Sequence, residues 1–152
     1  MTVVTDSEAR TLALGRRLGR LLRGLDVVCL HGELGSGKTT LTKGLAHGAG
    51  FKGRVVSPTF GLARVYRGRK ATIYHLDLYR VSADQTGDIG IEEFVSDPRG
   101  FCVVEWPKAG EAYYPDDRLE VKLSYARRGR ARKIVFSAAG PRSREIVEGL
   151  RK

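Results

Sequence analysis

"CLHGELGSGKTTL", residues 29–41, decides the fold. Between Gly32 and Thr39 it spells G-x-x-x-x-G-K-T, the spacing of a phosphate-binding P-loop. In such a loop successive backbone N–H groups converge on phosphate oxygens, and the N-terminus of the following helix adds partial positive charge. Gly32, Gly35 and Gly37 permit the turns and the close approach that a side chain would block. Lys38 is expected on the β- and γ-phosphates, and the Thr39 hydroxyl on magnesium. The motif requires a strand before it and a helix after it. "DVVCLH" (26–31) reads as a buried strand, and "GKTTLTKGLAHGAG" (37–50) as a helix stopped by Gly48 and Gly50.

Upstream, Leu14, Leu18, Leu21, Leu22 and Leu25 fall at helical spacing, with Arg16, Arg17, Arg20 and Arg23 largely on the opposite face. Thr5, Asp6 and Ser7 offer N-caps for that helix, and Gly24 marks its expected end. Downstream, "GLARVYR" (61–67) and "ATIYHLDLYR" (71–80), joined by a short basic turn, read as a hairpin rather than another strand–helix unit. A polar stretch, 82–90, leads to a short helix at "IEEFVS". "FCVVE" (101–105) is a third core strand, and "PKAGEAYYP" a proline-bounded loop. "RLEVKLSYA" and "RKIVFSAA" flank an arginine-rich turn at 127–130, and "PRSREIVEGLRK" closes as a helix with Pro141 in its first turn. The expected fold is α/β, a P-loop NTPase-like three-layer sandwich. Its central sheet is mixed and mainly parallel, with added antiparallel hairpin strands, in one domain spanning 1–152.

Composition bounds the reading. An apolar fraction of 41% and a charged fraction of 29% suit a globular protein, and no apolar run is long enough to span a membrane. "MTVVTDSEAR" has no basic region leading into an apolar core, so the expected compartment is the cytoplasm. Cys29 and Cys102 match no metal spacing and read as reduced, buried small hydrophobes. The formal charge of +10 is the outlier, gathered at 16–23, 66–70 and 126–133. Two readings of it stand: attraction of RNA or an acidic partner, or a solvated surface without an RNA-binding signature.

Magnesium on a triphosphate needs an acid at the end of a neighbouring strand. Glu105 ends an apolar strand, in the usual Walker B pattern, at the carboxyl edge where open α/β sheets bind ligands. Asp77 is the second candidate: period-two alternation puts Ile73, His75, Asp77 and Tyr79 on one face, which aims a polar patch at something. Spacing alone leaves either acid able to approach the metal.

"GELGSGKTT", "SPTF" (57–60), "YHLDLYR" and "VEWP", in that order, resemble the bacterial TsaE family, formerly YjeE, across nearly the whole chain. "GRARK" (129–133) resembles its C-terminal basic element. The resemblance implies a cytosolic ATPase, with ATP and Mg2+ as cofactors, needed to make threonylcarbamoyladenosine beside the anticodon of ANN-decoding tRNAs. It implies work on a TsaD–TsaB pair that carries the transfer chemistry, with ATP hydrolysis resetting the complex between turnovers. Carried onto this chain, it implies phosphate contacts from Gly32 through Glu33, Leu34, Gly35, Ser36, Gly37 and Lys38 to Thr39 and Thr40. It implies magnesium held by Thr39 and Glu105, and "SPTF" and "HLDLYR" as first and second switch segments. Asp77 is then the water-orienting or second metal-shell acid, and Lys38, Asp77 and Glu105 are the catalytic set. Trp106 would sit near the site, and Glu8, Thr11 and Arg130 align with positions around the adenine and ribose. Glu33 and Ser36 replace the Asp and Ala frequent in the family, where neither side chain is required to bind phosphate. The basic charge exceeds that expected of the family, which makes Arg127, Arg128 and Arg132 candidates for a tRNA contact.

The alternative is a small-molecule or nucleoside kinase, which needs a lid and an acceptor pocket. A hairpin follows the P-loop helix here and leaves little chain for a lid. A third reading is a nucleotide-dependent switch with little turnover. No arginine is securely placed on the γ-phosphate; Arg64 and Arg80 are the cis candidates, so turnover by the isolated chain is expected to be weak.

Overall fold

The computed structural model describes residues 1–58 and 62–152, apart from the side chains of Ala83 and Asp84. Its order is β1 (Thr2–Thr5), α1 (Glu8–Leu21), β2 (Val27–His31), α2 (Lys38–Gly48), β3 (Ala63–Arg67) and β4 (Thr72–Asp77). Then come α3 (Ile91–Ser96), β5 (Gly100–Glu105), β6 (Leu119–Ala126), β7 (Ala131–Ala138) and α4 (Pro141–Arg151). The strands form a seven-stranded sheet in the order β1-β7-β6-β2-β5-β4-β3. Its four central strands, β6, β2, β5 and β4, run parallel, while β3, β7 and β1 add antiparallel at the flanks.

β5 is buried along its whole length and β2 up to His31, because as central strands they are covered on both faces. Val28, Leu30, Val103 and Val121 point to one face, against Leu14 and Leu18 of α1, Leu41 and Leu45 of α2, and Ile146 and Leu150 of α4. Val27, Cys29, Cys102 and Val104 point to the other face, against Ile91 of α3 and Tyr114. Both cysteines are free and buried, and burial pushes both thiols up. The segments Ala83–Ile89 and Pro107–Tyr113, read as a polar stretch and a loop, are wound into 3-10 turns. Among the described residues no helix is long and apolar enough to cross a membrane.

One N-cap candidate is singled out, and two local outcomes differ from the sequence expectations. The N-cap of α1 is Ser7, whose hydroxyl accepts the Arg10 N–H, while Thr5 ends a strand and bonds the Thr11 hydroxyl. The helix stops at Leu21 rather than at Gly24, since the Asp26 carboxylate accepts the Arg23 N–H and Leu25 takes a left-handed conformation at φ 71°. The first four-residue strand was not anticipated. It pairs with β7, Thr5 opposite Arg132, and so brings the start of α1 beside the hairpin turn at 127–130.

The packing of α1 on α2 sets where that start lies. A Cβ on Gly15 or Gly19 would fall within 2.4 Å of the Leu41 or Leu45 carbonyl oxygen, and one on Gly44 or Gly48 within 2.3 Å of the Leu12 or Arg16 oxygen. Two glycine pairs, each four residues apart, therefore let the helix backbones touch, closer than helices separated by side chains. That seam carries Glu8 and Thr11 to the first turn of α2. At the far end, Asp117 accepts the Arg142 and Ser143 N–H groups and caps α4 behind Pro141.

Candidate nucleotide site

β2 delivers the chain into the glycine loop, and α2 begins at Lys38 with Gly37 in the left-handed region, φ 104°, as its N-cap. The Lys38 ammonium donates to the carbonyls of Gly32 at 2.8 Å and Glu33 at 2.9 Å, and lies 4.2 Å from the centre of the Trp106 ring. Burial pulls its pKa down, opposed by the nearby carboxylates of Glu105 and Asp77. Ser36, expected to need no particular side chain, is fully buried, and its hydroxyl has no partner among the described residues.

The two candidate acids sit side by side, Asp77 on β4 opposite Glu105 on β5. Their contacts differ. The Thr39 hydroxyl lies 3.1 and 3.2 Å from the two Glu105 oxygens, and Glu105 also meets His75 Nε2 at 2.9 Å. Asp77 accepts from the Ser57 hydroxyl at 2.9 Å and from the Tyr79 N–H at 3.1 Å. The alternation along β4 is as read: Ile73 and His75 are buried on the α1–α2 side, and Tyr74 and Leu76 face the other. Trp106 follows Glu105 in a left-handed conformation, φ 56°, secured by its N–H on the Leu30 carbonyl. That conformation costs a non-glycine residue on the order of 1 kcal/mol, and here it turns the indole over Lys38 and against Tyr79, ring centres 4.7 Å apart.

Two cavities meet at the loop. One, of about 420 Å³, is lined by Lys38, Thr39, Asp77, Glu105 and Trp106, with Leu34, Ser57, Tyr79 and Arg80 around them. The other, of about 350 Å³, holds Glu8, Thr11 and Arg130 with Thr5 and Arg132. Gly35, Gly37 and Thr40 line both, so the expected phosphate-and-metal residues and the expected adenine-and-ribose residues are neighbouring compartments around the start of α2. Within the second, the Thr11 hydroxyl is already engaged by Thr5 at 2.7 Å, so Thr11 offers a wall rather than a free donor. Gly32, Glu33 and Ser36 line neither cavity: Gly32 and Glu33 border a separate groove with His31 and Pro107, Glu33 contributes its carbonyl to Lys38, and Ser36 is buried. Arg64 lies on β3 and lines neither cavity, whereas Arg80 lines the first. Thr59 and Phe60 of "SPTF" lie outside the described residues.

Sequence reading missed the brace on the outside of the loop. Tyr125 donates to the Leu34 carbonyl at 2.8 Å, and Arg132, stacked 4.5 Å over the Tyr125 ring, donates to the Gly35 carbonyl at 3.3 Å. The two are cross-strand partners in the β6–β7 ladder, a pairing visible only once the register is known. Arg132 is therefore turned onto the loop, unlike the exposed Arg127 and Arg128 at the hairpin tip.

The site chemistry suits a magnesium triphosphate. A hydroxyl and a carboxylate in contact supply hard oxygen ligands, few enough to leave positions for phosphate oxygens and water. Lys38 rests on backbone carbonyls that phosphate oxygens can replace, and a buried hydroxyl with no partner among the described residues sits within the loop.

The family model described as threonylcarbamoyl adenosine biosynthesis protein TsaE matches residues 5–134. This chain belongs to the TsaE family. The matched span begins at Thr5 and runs past Arg132, so it contains the lining of both cavities. The tRNA threonylcarbamoyladenosine biosynthesis protein TsaE of Bacillus subtilis is 36% identical over 146 residues, 96% of this chain and 90% of the relative. The protein of the same name from Streptomyces coelicolor is 44% identical over 117 residues, 74% of this chain and 78% of the relative. The crystal structure of Bacillus subtilis YdiB superposes with a TM-score of 0.85 at 32% identity, covering 99% of this chain and 93% of that one.

Proposed function

We propose that this TsaE-family chain binds and hydrolyses ATP with Mg2+ in the cytoplasm. In this reading it serves threonylcarbamoyladenosine modification of tRNA next to the anticodon, acting on a TsaD–TsaB pair to reset it between turnovers. It does not transfer the threonylcarbamoyl group itself. The observation that carries the reading is the contact of Thr39 with Glu105 beneath a glycine loop whose lysine is buried and poised.

In that reading the loop N–H groups and Lys38 bind and orient the phosphates, with Gly32 through Thr40 as the cradle. Magnesium, when bound, neutralises developing phosphate charge. Thr39 and Glu105 would hold it. Asp77, fixed by Ser57 and the Tyr79 N–H, has a carboxylate oriented to position an attacking water beside the metal oxygens. Trp106 shields the lysine side of the cleft, and Glu8, Thr11 and Arg130 border the nucleoside. Arg80 lines the phosphate side without a γ-phosphate position fixed by a neighbour, so the isolated chain hydrolyses slowly and a partner completes the charge. The exposed Arg127 and Arg128 supply the basic surface for a tRNA contact.

An ATPase assay of the chain alone, with the TsaD–TsaB pair, and with small hydroxyl acceptors tests the reading. Slow turnover alone, stimulation by the pair and none by acceptors is the expected result. Fast turnover alone, or phosphate appearing on an acceptor, would replace it with a kinase.

A further inference from the structure

His75 lies behind the acid that the metal would meet. It sits on β4 opposite Val103, diagonal to Glu105 on the neighbouring strand, and its side chain is fully buried. Nε2 is 2.9 Å from Glu105 Oε1, while Nδ1 has no partner among the described residues. Because the carboxylate is an acceptor, Nε2 is the nitrogen that carries the hydrogen in this contact. Tyr66 packs on the ring's other side, ring centres 6.2 Å apart, and its hydroxyl is anchored in turn on the Val56 backbone.

The Thr39 hydroxyl does not choose between the Glu105 oxygens, at 3.1 and 3.2 Å. His75 does choose, since it holds Oε1 alone. We propose that His75 is a positioning residue for Glu105: it ties down Oε1, fixes the carboxylate plane and leaves Oε2 presented to the cation beside Thr39. A buried carboxylate with a free torsion would present either oxygen, or turn away, at each binding event. Outer partners of metal ligands act in this way, by orienting the ligand rather than touching the metal. The inference rests on the magnesium–nucleotide reading of the site.

The test is Mn2+ binding to the full chain with a non-hydrolysable ATP analogue, followed by loss of the free Mn2+ electron paramagnetic resonance signal. His75→Phe keeps a ring without the donor, and His75→Gln restores a donor of similar reach. His75→Phe is expected to weaken Mn2+ binding about tenfold or more, within the range for lost outer partners, and His75→Gln to recover most of it. Analogue binding in EDTA should be the same in all three proteins. Wild-type Mn2+ affinity in His75→Phe, or an equal loss in His75→Gln, would overturn the role. If Glu105→Gln binds Mn2+ as tightly as wild type, the metal reading itself fails and takes this role with it. On the unaltered protein, the nitrogen-15 spectrum of the histidine ring gives a second readout: the Nε2–H tautomer supports the assignment, and the Nδ1–H tautomer overturns it.

Discussion

The two compartments around the start of α2 are built on different principles. On the phosphate side Lys38, Asp77 and Glu105 are each at most 7% exposed, and they come from strand ends and the first residue of a helix. Each has named hydrogen-bond partners that fix it before any ligand arrives. On the nucleoside side Thr11 is buried against Thr5, but the charged residues Glu8 and Arg130 are exposed, one at a helix start and the other just after a left-handed hairpin tip. Preorganised, buried polar groups act strongly on charge, whereas exposed ones are screened and adapt. In the proposed reading, the difference puts chemistry on one side and fit on the other.

The strongest way to break that division is to remove one residue from each side. Lys38→Ala should lower ATP turnover by about 10²–10³-fold, the usual cost of losing a donor aimed at developing charge. Arg130→Ala should cost only about threefold, mostly in KM, as a screened contact at the surface does. Steady-state assays with the partner pair present measure both. Equal losses would mean that Arg130 reaches the reacting phosphate and that the division is false.

A smaller effect should follow from the glycine seam, which holds the two compartments in register. Gly44→Ala would place a Cβ 2.3 Å from the Leu12 carbonyl oxygen, a backbone atom that cannot swing aside. The helix gains about 1 kcal/mol in propensity from alanine, but overpacking against backbone costs about 1–3 kcal/mol, so net destabilisation of up to about 2 kcal/mol is expected. Urea unfolding measures it. Because the displaced helix carries Glu8 and Thr11, nucleotide affinity in EDTA should weaken while the Mn2+ affinity of the bound state stays. Loss of Mn2+ affinity instead would show that the seam braces the phosphate side.

The contrast also separates what the sequence discloses from what it conceals. The strand–loop–helix and the acids at the ends of β4 and β5 were legible because their signals are local: glycine spacing, apolar runs and period-two alternation. Even the shared face of His75 and Asp77 follows from alternation, although the partner of His75 does not. Contacts between distant segments were not legible. β1 is four residues whose only reason to be a strand is the edge of β7. Gly15, Gly19, Gly44 and Gly48 look like weak helix formers until two helices are known to cross there. Ser36 and Glu33, treated alike in the sequence, end buried and solvent-facing because the loop's path alone decides which side chain turns inward.

The smallest expected effect concerns the brace from the β6–β7 hairpin. Tyr125 is 44% exposed, and its hydroxyl makes one bond to the Leu34 carbonyl. Tyr125→Phe keeps the ring under Arg132 and removes only that bond, whose net worth is about 0.5–1 kcal/mol at such a surface position. Nucleotide binding should therefore weaken roughly two- to fivefold, equally with and without Mg2+, as calorimetric titration can measure. Equality across the two conditions is the informative part. The bond shapes the loop's outer wall, which phosphates meet whether or not a cation is present, and it touches neither Thr39 nor Glu105. A loss confined to the Mg2+ condition would place the hairpin in the metal machinery, and the exposed rim would then have to be counted with the buried floor.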